Sequence, residues 1–189
     1  MNRADESSED LMVRVGRGSA AALTELMRRF ASPLLTFLQR MLHDRQQAEE
    51  LWQEVFLAVW THRYQYRYPD RFRPWLFAIA LNRCRAEFRR RRVVTVTLDD
   101  QPALEPAAAD PSPAQAAIAD ETSTIVAAAV AALPPQQRTV VVLRIWNGLS
   151  YGEIGDILGL QTTTVRTHML HGLAAMRRHL QPRLGERGT

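Results

Sequence analysis

Lysine is absent from this sequence of 189 residues, and cysteine occurs once, at Cys84. One cysteine excludes an intrachain disulfide, and a zinc site would depend on five scattered histidines. The longest purely apolar run is Ile125–Leu133, far short of the roughly 20 residues that cross a bilayer. The N-terminus is polar and acidic, unlike a signal peptide. We therefore expect a cytoplasmic protein with no membrane insertion, no metal and no cofactor.

All 24 basic residues are arginine, and the net charge is +4. Guanidinium groups form forked hydrogen bonds to phosphates and bases, although a GC-rich genome gives the same bias. Residues 1–92 hold 17 Arg and 11 acids, residues 93–122 hold six acids and no Arg, and residues 123–189 hold seven Arg and three acids. The middle segment is rich in Pro and Ala and is typical of a flexible linker. The sequence thus predicts two small basic domains, 1–92 and 123–189, joined by an acidic linker at 93–122.

Both domains are expected to be helical. Apolar residues recur at steps of three and four, and no sustained alternation of apolar and polar residues occurs. Ser19 and Asp44 are predicted to cap two successive helices, and Pro74 to begin a third that ends near Arg92. The one candidate strand, 93–98, is short and isolated and is assigned to the linker. The predicted fold class is all-α.

The helix after Asp44 has an acidic face opposite its apolar face. Four polar residues define it, and we call them the acidic face: Glu49, Glu50, Gln53 and Glu54. Two interpretations remain open, a docking surface for a partner and an ordinary solvated helix surface.

Arginine and aromatic residues alternate in the next segment, THRYQYRYPDRFRPW at 61–75. Rings stack on unpaired bases and guanidinium groups follow phosphates, so this mixture favours single-stranded nucleic acid. An aromatic-rich loop packed on the core is the alternative. The helix that follows ends in four arginines and continues the basic track.

The C-terminal domain has a capped helix, a glycine turn and a second helix. Ser150 and Glu153 form the pattern of a capping box, and Gly159 is suited to the turn. The last helix is predicted to bury Val165, Met169, Leu173 and Met176, and to expose Thr163, Arg166, Thr167, Leu170 and His171. This layout is typical of a helix-turn-helix, although two helices packed around a glycine are also common in other proteins.

Three blocks together resemble the extracytoplasmic-function (ECF) sigma factors, promoter-recognition subunits of bacterial RNA polymerase in the sigma-70 family. AEELWQEVFLAVW at 48–60 is similar to the family's polymerase-binding segment. The segment 72–92 is similar to its −10 region, and 133–169 to its −35 domain. Each block alone is moderately specific, but the three in this order and spacing are highly specific. The resemblance implies a sigma region 2 helical bundle and a sigma region 4 helix-turn-helix.

The resemblance also implies partners and residue roles. Core polymerase would bind through the clamp of its largest subunit and the flap of its second largest, and promoter DNA and an anti-sigma factor are the other expected partners. Polymerase would carry out the chemistry, so no enzymatic activity is expected. Core-binding residues would be Glu49, Glu50, Gln53, Glu54 and Phe56; −10 contacts would be Tyr64, Tyr68, Phe72, Trp75, Asn82, Arg83, Arg85, Arg89 and Arg90; −35 contacts would be Thr163, Thr164, Arg166, Thr167, His168 and His171.

The chain departs from the family pattern at several of these positions. Family members usually have Asp at position 50 and often at Ala86, while Gln161 and Thr163 replace a Ser cap and a frequent Gly. His168 and His171 replace two common arginines, and neutral histidine attracts phosphate less strongly. These two histidines lack a third metal ligand nearby. Cys84 is interpreted as a small buried residue rather than a redox sensor.

Two other functions remain as alternatives. A conventional helix-turn-helix regulator would use the C-terminal domain alone, which leaves the acidic face and the aromatic segment without a role. A sigma-mimic interaction protein would keep the fold without promoter activity.

Overall fold

The structure, a computed structural model, describes residues 6–97 and 124–185. Those two ranges contain α-helices, one 3-10 turn and no strand, which confirms the all-α fold class. None of these helices is both long and apolar enough to span a membrane. The helices are α1 Ser8–Gly16, α2 Ala20–Leu42, α3 Arg45–Thr61, α4 Phe72–Thr97, α5 124–131, α6 Pro135–Ile145, α7 Tyr151–Leu158 and α8 Thr162–Gly185; the 3-10 turn is Arg63–Gln65.

Side-chain caps begin the early helices, as the sequence predicts. Ser19 Oγ accepts a hydrogen bond from the Ala22 N–H at 3.3 Å, and Asp44 Oδ1 accepts one from the Gln47 N–H at 3.0 Å. Each bond satisfies an N–H group that the first helical turn would leave unpaired. Ser7 caps α1 in the same way.

Helices α1 to α4 pack as one bundle, which we call the first unit. Its core is aromatic and aliphatic, and the Phe37 and Phe77 rings meet edge to face with centroids 5.4 Å apart. Cys84 is fully buried in this core. Burial raises the pKa of its thiol to about 12, so the thiolate is not formed near neutral pH. The interpretation of Cys84 as a buried residue is confirmed.

Helix α4 differs from the prediction at both ends. It begins at Phe72, so Pro74 is its third residue rather than its first. It continues to Thr97, so residues 93–97, which we assigned to the linker, are helical. The missing N–H of proline is tolerated throughout the first helical turn, which explains the earlier start. The rest of the predicted linker, from residue 98, lies outside the described residues.

Helices α5 to α8 form the second unit, in which α6 packs closely on α8. Gly172 permits this approach, since a Cβ at that position would lie 2.7 Å from Val141 Cγ2. The glycine rather than its neighbour faces α6, and Leu173 is 43% exposed. The prediction that Leu173 is buried is therefore wrong, while Val165, Met169 and Met176 are buried as expected.

We expect Gly172→Ala to lower the free energy of unfolding by about 1–3 kcal/mol, because the added methyl group overpacks the α6–α8 contact. Urea denaturation followed by circular dichroism measures this change. Gly152→Ala on α7 is the matched control, since its nearest neighbour, Ser150 Oγ, would be 3.9 Å away. The control should be neutral or stabilising by up to about 1 kcal/mol. Equal stability of the Gly172 variant and the wild type would contradict the packing argument.

Candidate nucleic-acid interface

The acidic face lies on the solvent side of α3. Ala48, Leu51 and Val55 point into the bundle, which places all four residues of the acidic face outward, and each of them is exposed. Their contacts are few: Glu49 pairs with Arg45 at 3.0 Å, and Glu54 lies 3.6 Å from Arg83. Exposed ion pairs of this kind contribute little to the free energy of unfolding. The carboxylates are therefore accessible to a cationic partner.

Phe56, which we expected at the polymerase interface, is only 2% exposed. Its ring packs edge to face against Trp52, with centroids 4.9 Å apart. In this structure Phe56 supports the helix from inside and offers no surface to a partner. Trp52 instead borders an open groove between α2 and α3, together with Ala31, Leu35 and Gln53. Trp52 is thus an apolar residue at the edge of the acidic face, and helical periodicity alone does not identify it as such.

The segment Tyr64 to Trp75, which we call the aromatic loop, is built around a buried ring. Phe72 is fully buried, 5.2 Å from the Phe30 ring and 6.1 Å from the Trp75 ring, centroid to centroid. Its backbone N–H donates to Glu9 Oε1 at 3.0 Å. The expectation that Phe72 contacts DNA does not fit this placement, because a ring with no exposed surface cannot stack on a base.

Tyr66 closes the aromatic loop from the other side. Its ring packs on Trp75 at 5.4 Å, and its hydroxyl donates to the Asp70 carbonyl. Burial, with the nearby Glu9 and Asp70 charges, raises the pKa of Tyr66 to about 12. Tyr66 therefore stays neutral and helps to hold the loop in shape. The inner rings of the segment pack on the bundle, as the alternative interpretation expects, and the binding of single-stranded nucleic acid by its exposed rings stays a prediction.

Two rings of the aromatic loop are available to a ligand. Tyr64 is 74% exposed and Tyr68 is 60% exposed, whereas Trp75 is half-buried. The Arg63 guanidinium stacks 4.3 Å from the Tyr64 ring and 4.5 Å from the Trp60 ring. This arrangement orients Tyr64. Arg63 is not among the −10 residues expected from the sequence, because its contacts with the two rings depend on the 3-10 turn.

The predicted basic residues of α4 are on the surface, but some have acidic partners. Asn82, Arg89 and Arg90 are exposed, while Arg83 and Arg85 are half-buried. Arg90 Nε lies 3.0 Å from Glu87 Oε2, and the Glu87 side chain is almost completely buried. Carboxylates of the same chain thus offset part of the arginine charge. Glu87 was not selected from the sequence because its burial depends on the packing of α3 on α4.

The helix-turn-helix of the second unit has the predicted caps. Ser150 N–H donates to Glu153 Oε2 at 2.8 Å, and the Glu153 N–H donates to Ser150 Oγ at 3.2 Å. Although burial opposes it, the pKa of the Glu153 carboxyl is lowered by its hydrogen bonds with Ser150 and Arg71. Gly159 has φ 68°, a left-handed conformation that ends α7. The capping box and the glycine turn are both confirmed.

The exposed edge of α8 carries the predicted −35 residues. Val165 and Met169 are buried, which turns the opposite side of the helix toward solvent. His168 is half-buried, whereas the other five predicted residues are exposed: Thr163, Thr164, Arg166, Thr167 and His171. The Arg166 guanidinium lies 5.6 Å from the Tyr151 ring of α7. The described residues contain no group of three or more potential metal ligands.

The two units meet at contacts that the sequence did not predict. Arg71 of the aromatic loop forms an ion pair with Glu153 of α7, at 3.0 Å. On another side, the Arg40 guanidinium lies 3.9 Å from the Trp146 ring centroid, and Arg138 Nη1 donates to the Met41 carbonyl at 3.4 Å. We call these contacts the junction. They link positions up to 106 residues apart in the chain, so no local pattern reveals them.

Comparison with known proteins identifies the chain at the level of family. Sigma-70 region 2 matches residues 26–93, and Sigma-70, region 4 matches residues 123–176. The RNA polymerase sigma-H factor of Pseudomonas aeruginosa is 31% identical over 188 residues, which cover 96% of this chain and 97% of that protein. The ECF RNA polymerase sigma factor SigL of Mycobacterium tuberculosis is 31% identical over 177 residues, which cover 90% of this chain and 97% of that protein.

Solved structures share the fold. CnrH in complex with the cytosolic domain of CnrY has a TM-score of 0.73 and 21% identity, covering 93% of this chain and 99% of that one. The sigma factor RpoE from Bartonella quintana, in complex with the anti-sigma factor NepR, has a TM-score of 0.65 and 20% identity. The match covers 83% of this chain and 97% of that one. Fold and matched regions define the sigma class of transcription initiation factors. The chain belongs to the sigma-70 family, in its ECF group.

We expect a measurable pH effect from His43, which lies half-buried at the junction. Burial and the nearby Arg138 charge lower the pKa of its imidazole from 6.5 to about 4. As pH falls, the imidazole of His43 is therefore protonated at a higher pH in the unfolded chain than in the folded one. The contribution of neutral His43 to the free energy of unfolding is complete above pH 6.5 and is lost as pH falls toward 4. Urea denaturation across this range should show wild type losing more stability than His43→Asn. Asparagine tolerates the φ of 56° at this position. Parallel pH profiles would contradict the assignment.

Proposed function

We propose that this ECF sigma factor binds core RNA polymerase through the acidic face and positions the enzyme at promoters with its two units. The observation that carries the proposal is the presence of both matched regions in one chain, with an exposed carboxylate cluster on the first. Polymerase performs the chemistry and the chain is not an enzyme. The complex would work in the cytoplasm, where the polymerase acts.

The division of the chain that we propose is region 2 in 1–92, a linker in 93–122 and region 4 in 123–189. Its first boundary is modified by α4, which continues to Thr97. The acidic composition of the linker would keep it away from DNA, since like charges repel.

Core binding would use the exposed members of the acidic face with Trp52 beside them. Exposed Glu49, Glu50 and Glu54 offer three carboxylates within one helix surface, and such a cluster attracts a basic partner and steers its approach. The groove at Leu35 and Trp52 would add apolar contact next to the charges. Phe56 would act indirectly, by supporting Trp52 from the core. The clamp of the largest subunit is the proposed partner of this face, and the flap of the second largest is the proposed partner of the second unit.

Capture of the −10 element would use the exposed rings and the α4 arginines. Tyr64 and Tyr68 can stack on bases that leave the duplex, and base stacking offsets the cost of unstacking. Asn82 and the arginines 83, 85, 89 and 90 would contact phosphates and base edges nearby. Trp75 would contribute through its exposed edge, and Phe72 only by supporting the aromatic loop.

Binding of the −35 element would use the exposed edge of α8 in the major groove. Arg166, Thr167 and His171 are exposed and would reach base edges, whereas Thr163 and Thr164, at the start of the helix, would contact phosphates. His168 is less exposed and would contact the backbone.

An anti-sigma factor is the proposed regulatory partner. CnrH and RpoE, which share the fold, were solved with CnrY and with the anti-sigma factor NepR. The alternatives, a helix-turn-helix regulator that works without polymerase and a sigma mimic, differ from this proposal in whether the chain supports initiation with core enzyme.

In vitro transcription with purified core polymerase tests the proposal, with Glu50→Lys/Glu54→Lys as the diagnostic variant. We expect promoter-dependent initiation by the wild type. The variant should bind core about ten-fold or more weakly, because it sets like charges against a basic partner. Fluorescence anisotropy with labelled core measures the affinity. Thr24→Lys adds one positive charge at an exposed site of α2 and controls for positive charge placed outside the acidic face, whereas the double variant raises the net charge by four. Unaltered core affinity in the double variant would rule out this docking surface, and duplex binding without initiation would favour a regulator.

Strand opening should depend on Tyr68. Because base stacking contributes about 1–3 kcal/mol, we expect Tyr68→Ala to reduce open-complex formation about five-fold or more. Permanganate reactivity of promoter thymines in the holoenzyme complex measures it, beside a filter-binding assay of initial duplex engagement. Trp75→Ala is informative only if its fold is intact, since the ring packs on Tyr66. Leu57→Ala, at an exposed site of α3, is the control. Equal permanganate reactivity of Tyr68→Ala and the control would show that Tyr68 does not contribute to strand opening.

A further inference from the structure

One carboxylate of α4 is almost enclosed by the protein. Glu87 is 8% exposed, and glutamate reaches such burial almost only when it is paired. It lines a cleft between α3 and α4, together with Leu51 and Ala86. A carboxylate in this position is unfavourable unless cations or hydrogen-bond donors compensate it. The side chains that compensate Glu87 are therefore held close to it.

Two arginines one helical turn further along α4 provide this compensation. Arg90 Nε lies 3.0 Å from Glu87 Oε2, and Arg90 Nη2 donates to Glu87 Oε1 at 3.1 Å. Arg91 Nε donates to Glu87 Oε1 at 3.4 Å, and Arg91 Nη2 lies 3.8 Å from Oδ2 of Asp44, the cap of α3. The two contacts of Arg90 form a bidentate fork, which fixes the plane of its guanidinium group as well as its position.

The fork leaves the outer edge of the Arg90 guanidinium available. Glu87 binds Nε and one hydrogen of Nη2, and the remaining N–H donors lie on the other edge of the planar group. The Arg90 side chain is 73% exposed, so solvent reaches these donors. Arg89, its neighbour, is also exposed, but it has no ion pair with any described residue. Of the two adjacent arginines, Arg90 is thus the one whose orientation is set by the protein.

We propose that Glu87 is a positioning residue for the −10 strand, which holds the Arg90 guanidinium with its outer edge toward a DNA phosphate. The inference rests on the proposed function, because that function assigns the strand to α4. An arginine that is already oriented loses less rotational freedom when it binds a phosphate. The carboxylate repels the phosphate only weakly, because the two guanidinium groups of Arg90 and Arg91 outweigh its charge.

Positioning and charge attraction predict opposite effects of Glu87→Gln. The substitution keeps the size of the side chain and removes its negative charge. Charge alone would strengthen the binding of single-stranded DNA, because the surface becomes more positive. Positioning weakens it, because Arg90 is no longer held in the charged fork. We expect affinity to fall about two- to five-fold. The slope of log affinity against log salt should decrease in magnitude by up to about 0.7, which corresponds to one phosphate contact on a single strand.

Helix α2 contains a matched control for this substitution. Glu25 pairs with Arg28 and with Arg29, each at 2.7 Å and at the same helical spacings of three and four residues. Glu25→Gln therefore changes the net charge equally and breaks the same kind of helical pair, beside arginines that are not assigned to DNA. We expect it to bind the strand as well as the wild type or slightly better. A loss equal to that of Glu87→Gln would overturn the proposal.

Variants of Arg90 separate positioning from a structural role of Glu87. Arg90→Gln should weaken strand binding, and adding Glu87→Gln to it should cause no further loss, because Glu87 acts through Arg90. A further loss in the double variant would show that Glu87 supports the fold instead. Arg90→Lys, at an exposed site, keeps the charge but cannot form the fork. It should weaken binding about two-fold or more, and wild-type affinity of this variant would overturn the proposal. Circular dichroism verifies the fold of each variant.

Fluorescence anisotropy with purified holoenzyme measures strand binding over a series of salt concentrations. The probe is the labelled non-template strand of a promoter that the wild-type holoenzyme transcribes. Equal or higher affinity of Glu87→Gln, with an unchanged or steeper salt slope, would overturn the positioning role. If Arg90→Gln weakens binding and Glu87→Gln does not, only this inference fails. If Arg90→Gln binds the strand as the wild type does, the assignment of the −10 strand to Arg90 fails as well. Absence of initiation by the wild type would overturn the proposed function itself.

Discussion

The burial of Phe72 fixes the geometry on which the first unit depends. Its ring contacts Phe30 of α2 and Trp75 of α4, and its N–H group binds the Glu9 carboxylate of α1. One residue therefore joins three helices at the point where the aromatic loop enters α4. Phe72 and the partly buried rings beside it form a packed base beneath the exposed tyrosines, which we propose stack on unpaired bases.

Features that depend on neighbours in the sequence were predicted well. Ser19, Asp44 and the pair Ser150 and Glu153 act within one helical turn, so their identity is sufficient to locate the helix starts. The acidic face of α3 followed from helical periodicity in the same way. The three blocks of the family resemblance gave the correct family because their order reflects the entire architecture rather than any single residue.

Features that depend on tertiary packing were predicted less well. Periodicity places Leu173 inward, but the close approach of α6 at Gly172 turns that leucine toward solvent. Phe56 and Phe72 are apolar rings next to functional segments, and the sequence cannot say which rings face the core and which face a partner. The ion pair of Arg71 with Glu153 spans 82 residues, so it follows from the arrangement of the units and not from local sequence.

The absence of lysine has a consequence for regulation. Acetylation neutralises lysine side chains, and this modification is unavailable to every basic group in the 189 residues. Guanidinium groups also keep their proton across the whole physiological range. The guanidinium charge of both units is therefore constant, and its attraction for DNA changes only with salt or with competing carboxylates. Control of such a surface must come from covering it.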